Sequence, residues 1–195
     1  MTYRMRPPRD VVSGKGSLEQ IGEIVSSYSP KSVVLLVDGN VRKNGGADRL
    51  VELLSLPGTE LRVFSDVPVE PETGQVKELF GRIKGFNADL IVAMGGGSVL
   101  DSAKMISVLL RNPSFLDNLL DAGLIGERGV PLIAIPTSAG TGSEATPNSI
   151  VVVPEQKLKV GVVHPFFIPD CVVLDPEATL SLPPNITARS EEHTS

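Results

Sequence analysis

Tryptophan is absent, cysteine occurs once and histidine twice in these 195 residues. The single cysteine, Cys171, excludes an intramolecular disulfide and points to a reducing compartment. There is no excess of positive charge: the formal net charge is −5, so the basic footprint of a nucleic-acid binder is missing. No apolar run approaches the ~20 residues of a membrane span, and the opening MTYRMRPPRD lacks the apolar centre of a signal peptide. These absences lead to the expectation of a cytoplasmic chain with no nucleic-acid and no membrane partner. The two standard phosphate-binding signatures are also missing. There is no GxGxxG, and no Lys-Ser or Lys-Thr pair follows a glycine-rich loop.

What is present is an alternation of apolar runs and amphipathic stretches. SVVLLVD (32–38), ELRVFSD (60–66), DLIVAMG (89–95), VPLIAIP (130–136) and CVVLD (171–175) have strand length and little polar content. Between them, 46–55, 73–84 and 98–111 have helical texture. Val76, Leu79, Phe80 and Ile83 repeat at helical spacing. Continuous apolar strands separated by helices predict βαβ units, hence a doubly wound, mostly parallel sheet covered on both faces. After 149 the texture changes, and SIVVVPEQKLKVGVVHP predicts two short strands about a polar turn. LSLPPNITA (180–188) reads as a linker.

The stretch MGGGSVLDSAK (94–104) places three glycines directly after an apolar strand. Gly95, Gly96 and Gly97 lack Cβ atoms, so they permit positive φ and a ligand's close approach to the backbone. A helix beginning near Ser98 offers amide donors and a positive dipole end to an anion. Ser98 is expected to cap that helix, with Asp101 three residues on completing the pair. Asp101 and Lys104 read either as an exposed helix pair or as residues turned into the cleft. A second hydroxyl-rich stretch, PTSAGTGSEAT (136–146), follows another strand. Its Thr137, Ser138 and Thr141 suit a ribose or the far side of a pyrophosphate. Asp38 ends the strand SVVLLVD, where an acid either opens an Asp-Gly turn or accepts both ribose hydroxyls of NAD while repelling the extra phosphate of NADP. Together these strand ends describe a dinucleotide cleft.

GGGSVLDSAK (95–104) and PTSAGTGSE (136–144) closely resemble the paired signatures of the iron-containing alcohol dehydrogenases, and the similarity runs from about residue 10 to 188. SGKGSLEQIG (13–22), VEPET (69–73) and KVGVVHPFFIPDCVVLDPE (159–177) agree with it. The resemblance implies a Rossmann-like NAD-binding domain over residues 1–179, with NAD favoured over NADP. An all-helical metal-binding C-terminal domain would follow. It implies hydride transfer between the cofactor and a small alcohol or its aldehyde or ketone, an Fe2+ or Zn2+ ion in the full-length parent, and a homo-oligomer. It places Gly96, Gly97 and Ser98 on the pyrophosphate, Thr137, Ser138 and Thr141 on the adenosine and ribose side, and Lys159 at the nicotinamide ribose. Glu70 falls where many members carry an asparagine.

The family's metal ligands follow the segment matching 180–188, whereas this chain ends ITARSEEHTS. The helical domain is therefore expected to be absent, no residue here is assigned to a metal or to the chemical step, and the chain alone is expected to be inactive. His164 reads as a packed or solvated side chain. The tail 189–195, which contains His193, can be encoded by a common sequencing-library adapter and is expected to be non-native. Two alternatives stand beside this reading. One is a fragment of a related glycerol, glycerol-1-phosphate or dehydroquinate-type enzyme, and the other is a non-catalytic nucleotide-binding module.

Overall fold

In the computed structural model, residues 7–68 and 70–180 are described. Six strands form one wholly parallel sheet in the order β1-β8-β5-β4-β2-β3. They are β1 (Asp10–Ser13), β2 (Ser32–Val37), β3 (Glu60–Phe64), β4 (Leu90–Gly95), β5 (Leu132–Pro136) and β8 (Cys171–Leu174). The helices are α1 (Ile21–Ser27), α2 (Gly39–Lys43), α3 (Asp48–Leu54), α4 (Thr73–Ile83) and α5 (Gly97–Leu109). The expected hairpin is present as β6 (Asn148–Val153) and β7 (Leu158–Val163), antiparallel with Asn148 opposite Val163 and Val153 opposite Leu158.

The apolar runs are continuous because both faces of the sheet are covered. In β2, Val34 and Leu36 join a core with α4 and α5, while Val33, Leu35 and Val37 join a second core with α1 and α3. In β4, Ile91 and Ala93 face one way and Leu90, Val92 and Met94 the other. Strand pleating sends alternate side chains to opposite faces. A strand sandwiched on both faces therefore needs an apolar residue at every position.

Residues 10–27 carry no strong periodic signal, yet they form β1 and α1. β1 exists because β8 pairs with it, Asp10 opposite Cys171 and Ser13 opposite Leu174. Asp175, 4% exposed, then ties the N-terminal segment to the end of β8. Its carboxylate accepts from Gly16 N (3.3 Å), Leu18 N (2.9 Å) and Glu177 N (3.0 Å). Burial opposes the charge, but these backbone donors, with Lys15 nearby, outweigh it and hold the group below the ordinary carboxylate value. A depressed folded pKa means stability that is complete above the unfolded value and lost as pH falls through the folded one. Asp175→Asn is therefore expected to cost about 2 kcal/mol at pH 7. That difference from the parent should shrink below about pH 4. Urea unfolding at pH 7 and pH 3.5 checks both.

α5 departs from the expected one-sided burial. Every residue from Val99 to Leu109 is buried, because the helix lies between the sheet on one side and α4 and β6 on the other. Polar residues in α5 must therefore find partners inside the protein.

Candidate functional site

The chain leaves β2 toward β3 on one side of the sheet and leaves β4 toward β5 on the other. The order thus reverses between β2 and β4, and in such sheets ligands bind outside the carboxyl ends of the strands at that reversal. Asp38 follows β2, and the three glycines run from the last residue of β4 to the first of α5. Their backbones are joined there, with Asp38 N donating to Met94 O at 3.0 Å.

The glycines do their work by lacking bulk. None of the three uses the positive φ that glycine permits, whereas Gly140 and Gly142 in the second loop do (φ 90° and 62°). A Cβ on Gly95 would lie 2.7 Å from Val99 Cγ2, so this glycine lets the first turn of α5 fold back on the strand. A Cβ on Gly96 would lie 3.3 Å from Ser138 Oγ. One on Gly97 would lie 3.3 Å from Thr141 Cβ and Cγ2. The two motifs therefore abut, and Thr137 N donates to Gly95 O at 3.0 Å to lock the contact.

The capping expectation is corrected. Gly96 precedes the first turn of α5 and no side chain caps it. The Ser98 hydroxyl instead accepts from Glu70 N at 3.2 Å. Glu70, in a left-handed conformation (φ 57°), also receives Lys159 Nζ on its carboxylate at 2.6 Å. All three of these residues line a pocket of about 260 Å³, together with Gly97, Asp101, Thr141, Ser143 and Thr146. Pro71, Asn148, Ile150 and Val152 complete the lining and were not foreseen. The available signal was strand alternation, since the outward residues of β6 face the cleft while Ser149 and Val151 point inward.

Gly95, Gly96, Thr137 and Ser138 stand behind this lining. Asp38 lies apart from it. Its Oδ1 accepts from Asn40 N (2.8 Å) and Val41 N (3.2 Å), so it caps α2 where an Asp-Gly turn was one expectation. Asp101 and Lys104 are neither an exposed pair nor simple cleft residues: they are 6% and 1% exposed. Asp101 Oδ2 accepts from Ile150 N at 3.0 Å, and its Oδ1 accepts from the Ser143 hydroxyl and from Lys104 Nζ. Burial draws the Lys104 ammonium below the ordinary lysine value, against the opposing pull of Asp101 and Glu144.

His164 packs edge-on to Phe166 with ring centres 4.7 Å apart, and its Nδ1 accepts from Phe166 N at 3.2 Å. Burial lowers its pKa. Among the described residues no three His, Cys, Asp or Glu side chains converge as metal ligands. Of the linker expected over 180–188 only Leu180 is described, closing the last short turn, and the rest of it and the tail expected over 189–195 lie outside the described residues. Among the described residues no helix is long and apolar enough to cross a membrane.

A parallel sheet with its order reversal at a glycine seat and a hydroxyl-bearing loop defines a Rossmann-like α/β chain. The chain belongs to the iron-containing alcohol dehydrogenase family, whose model matches residues 8–176. Sulfoacetaldehyde reductase of Bilophila wadsworthia is 33% identical over 180 residues, 92% of this chain and 46% of the relative. Long-chain-alcohol dehydrogenase 1 of Geobacillus thermodenitrificans is 36% identical over 187 residues, covering 93% and 46%. Among solved structures, sulfoacetaldehyde reductase of Bifidobacterium kashiwanohense in complex with NAD+ superposes with a TM-score of 0.88 at 29% identity. That match covers 97% of this chain and 50% of the other. The chain thus spans about half the length of the curated relatives it matches.

The residues present suit a dinucleotide. Bare backbone at Gly96 and Gly97 leaves a cradle that a Cβ would fill. The Thr137 hydroxyl, buried at the carboxyl end of β5, has no hydrogen-bond partner among the described residues.

Proposed function

We propose that this chain is the NAD-binding half, residues 1–179, of an oxidoreductase that interconverts a small alcohol and its aldehyde or ketone. The observation that carries the reading is the abutment of Gly96 and Gly97 with Ser138 and Thr141 at the open end of α5. Backbone without side chains, at a helix N-terminus and a sheet reversal, accepts a pyrophosphate more readily than any neutral ligand. Bound NAD supplies the acceptor for a hydride. The chain's own residues bind and orient it.

In this reading the amides of Gly96, Gly97 and Ser98 hold the pyrophosphate. Thr137, Ser138 and Thr141 line the adenosine and ribose side, and the unpartnered Thr137 hydroxyl supports that role. Lys159 reaches the nicotinamide ribose and exchanges its Glu70 contact for the ligand. The apolar outward face of β6, Ile150 and Val152, excludes water from the nicotinamide end. Asp101 contributes to the same wall.

Fluorescence titration of the chain with NADH and NADPH tests the proposal. Saturable binding with NADH about tenfold tighter is expected, since an acid at the ribose repels the 2′-phosphate. No saturable NADH signal overturns it. Asp38→Ser separates the two roles of that residue. Serine caps a helix about as well as aspartate, so α2 should persist, while the preference for NADH should narrow or reverse. An unchanged preference would remove Asp38 from the ribose site.

A further inference from the structure

The cleft has walls from three separate pieces of chain: the first turn of α5, the irregular loop after β5, and β6 with β7. All three meet at one buried ammonium. Lys104 Nζ donates to Asn148 O (2.7 Å), Ser143 Oγ (3.0 Å), Thr146 O (3.2 Å) and Asp101 Oδ1 (3.3 Å). Three N–H protons thus serve four acceptors, and the two carbonyls sit at the very place where the loop becomes β6. The arrangement continues through the carboxylate, because Asp101 takes the Ser143 hydroxyl on one oxygen and Ile150 N on the other. A second tie runs alongside, from the Ser149 hydroxyl to Asp101 O at 2.9 Å.

A charged pair in a protein interior is poor value as a source of stability, because desolvation offsets the attraction and apolar residues of equal volume often do better. Its use is geometric. The loop from Thr137 to Pro147 has no regular hydrogen-bond ladder and contains two left-handed glycines. Beyond the Thr137 N–Gly95 O bond at its start, its placement against Gly97 comes from side chains. Lys104 is the side chain that takes up the loop's last carbonyls, and it is on the same helix as Gly97, two turns inward.

We propose that Lys104 is a positioning residue for the cofactor: its ammonium sets the gap between the glycine seat of α5 and the wall formed by Ser143, Thr146 and β6, and thereby sets dinucleotide affinity. The proposal rests on the NAD reading. It makes the pyrophosphate and nicotinamide end of the site depend on Lys104 while the Asp38 end, built on β2, does not.

The test compares NADH with adenosine, a fragment lacking the pyrophosphate, on the intact 195-residue chain. NADH is followed by fluorescence and adenosine by ligand-observed NMR. Lys104→Met, of similar length and without charge, is expected to lower NADH affinity by about tenfold or more, with adenosine affinity kept within about twofold. Because a stranded Asp101 carboxylate can prevent folding of that variant, Ser143→Ala is measured beside it. The Ser143 hydroxyl already donates to Asp101 and accepts from Lys104, so its loss acts through them; about threefold to tenfold weaker NADH binding with unchanged adenosine binding is expected. Ser107→Ala is the control for stability alone. It lies on the same helix, bonded to Val130 O at 2.6 Å and away from the cleft, and should lower the melting temperature without changing either affinity. NADH binding equal to the parent in a folded Lys104 or Ser143 variant overturns the proposal and leaves the NAD reading intact. Parallel loss of NADH and adenosine affinity overturns it also, by showing general destabilisation. Failure of the parent chain itself to bind NADH overturns the cofactor reading and this proposal together.

Discussion

Gly97→Val is expected to weaken NADH binding by about 100-fold, or about 2.7 kcal/mol, while the fold survives. The Cβ alone would lie 3.3 Å from both Cβ and Cγ2 of Thr141, closer than a comfortable methyl contact. The two valine methyl groups must then either push Thr141 and its loop away or stand over the open end of α5, where the pyrophosphate is proposed to lie. The helix itself does not object. Gly97 is its first residue and has no positive φ. Glycine is also a poorer helix former than valine by a few tenths of a kcal/mol. The predicted outcome is an unchanged circular dichroism spectrum and loss of the NADH fluorescence signal at concentrations that saturate the parent. Affinity within threefold of the parent, in a folded variant, would show that bare backbone at this position has another purpose.

Gly129→Ala carries the largest stability effect we expect outside the site. Here a Cβ would fall 2.4 Å from the backbone oxygen of Ser107, 2.5 Å from its carbonyl carbon and 2.5 Å from its hydroxyl. These are mostly rigid atoms in the last turn of α5. The neighbouring residue is bonded to the same spot in both directions, Val130 N to Ser107 O at 3.1 Å and Ser107 Oγ to Val130 O at 2.6 Å. The segment entering β5 therefore cannot back away without giving up both bonds. Overpacking of this kind costs about 3 kcal/mol. For a domain of this size that is a fall of roughly 6–12 °C in melting temperature. Differential scanning calorimetry measures it. A shift below 2 °C would mean that the 129–130 segment is free to move off the helix.

These two glycines also show how much was legible in advance. Gly97 belongs to a run of three after an apolar strand, a local pattern with a local meaning. Gly129 stands alone in GERGVP, and nothing around it in the chain indicates that its missing side chain makes room for a helix some twenty residues earlier. The strands and helices of the sheet were readable because two-sided burial forces unbroken apolar runs and helices repeat their apolar face every turn. β1 and α1 were not readable. β1 is four residues long and owes its strand to pairing with β8, 161 positions away in its first pair, Asp10 with Cys171. The glycine seat and the hydroxyl loop were found as separate stretches, but their contact at Gly97 and Thr141 follows from β4 and β5 lying side by side.

The polar residues divide along the same line. Asp38 at a strand end and Ser98 after glycines are marked by position, so their neighbourhood was foreseen even where the bonds differ: Asp38 caps α2, and Ser98 holds the Glu70 loop. Asp101 and Lys104, three apart on a helix, read equally as a solvated surface pair or as residues turned into the cleft. Only the packing of β6 across α5 reveals them as buried groups that hold three segments together.

By itself, then, the chain's order of residues determined the layered α/β class, the family and the glycine stretch proposed here as the anion seat, because each depends on periodicity or on a short contiguous motif. The closing of the cleft, the Glu70–Lys159 contact, the burial of Lys104 and the need for a hydrogen atom at Gly129 were decided by tertiary structure. Each depends on which distant segments are brought within a few ångströms, and linear spacing carries no record of that distance.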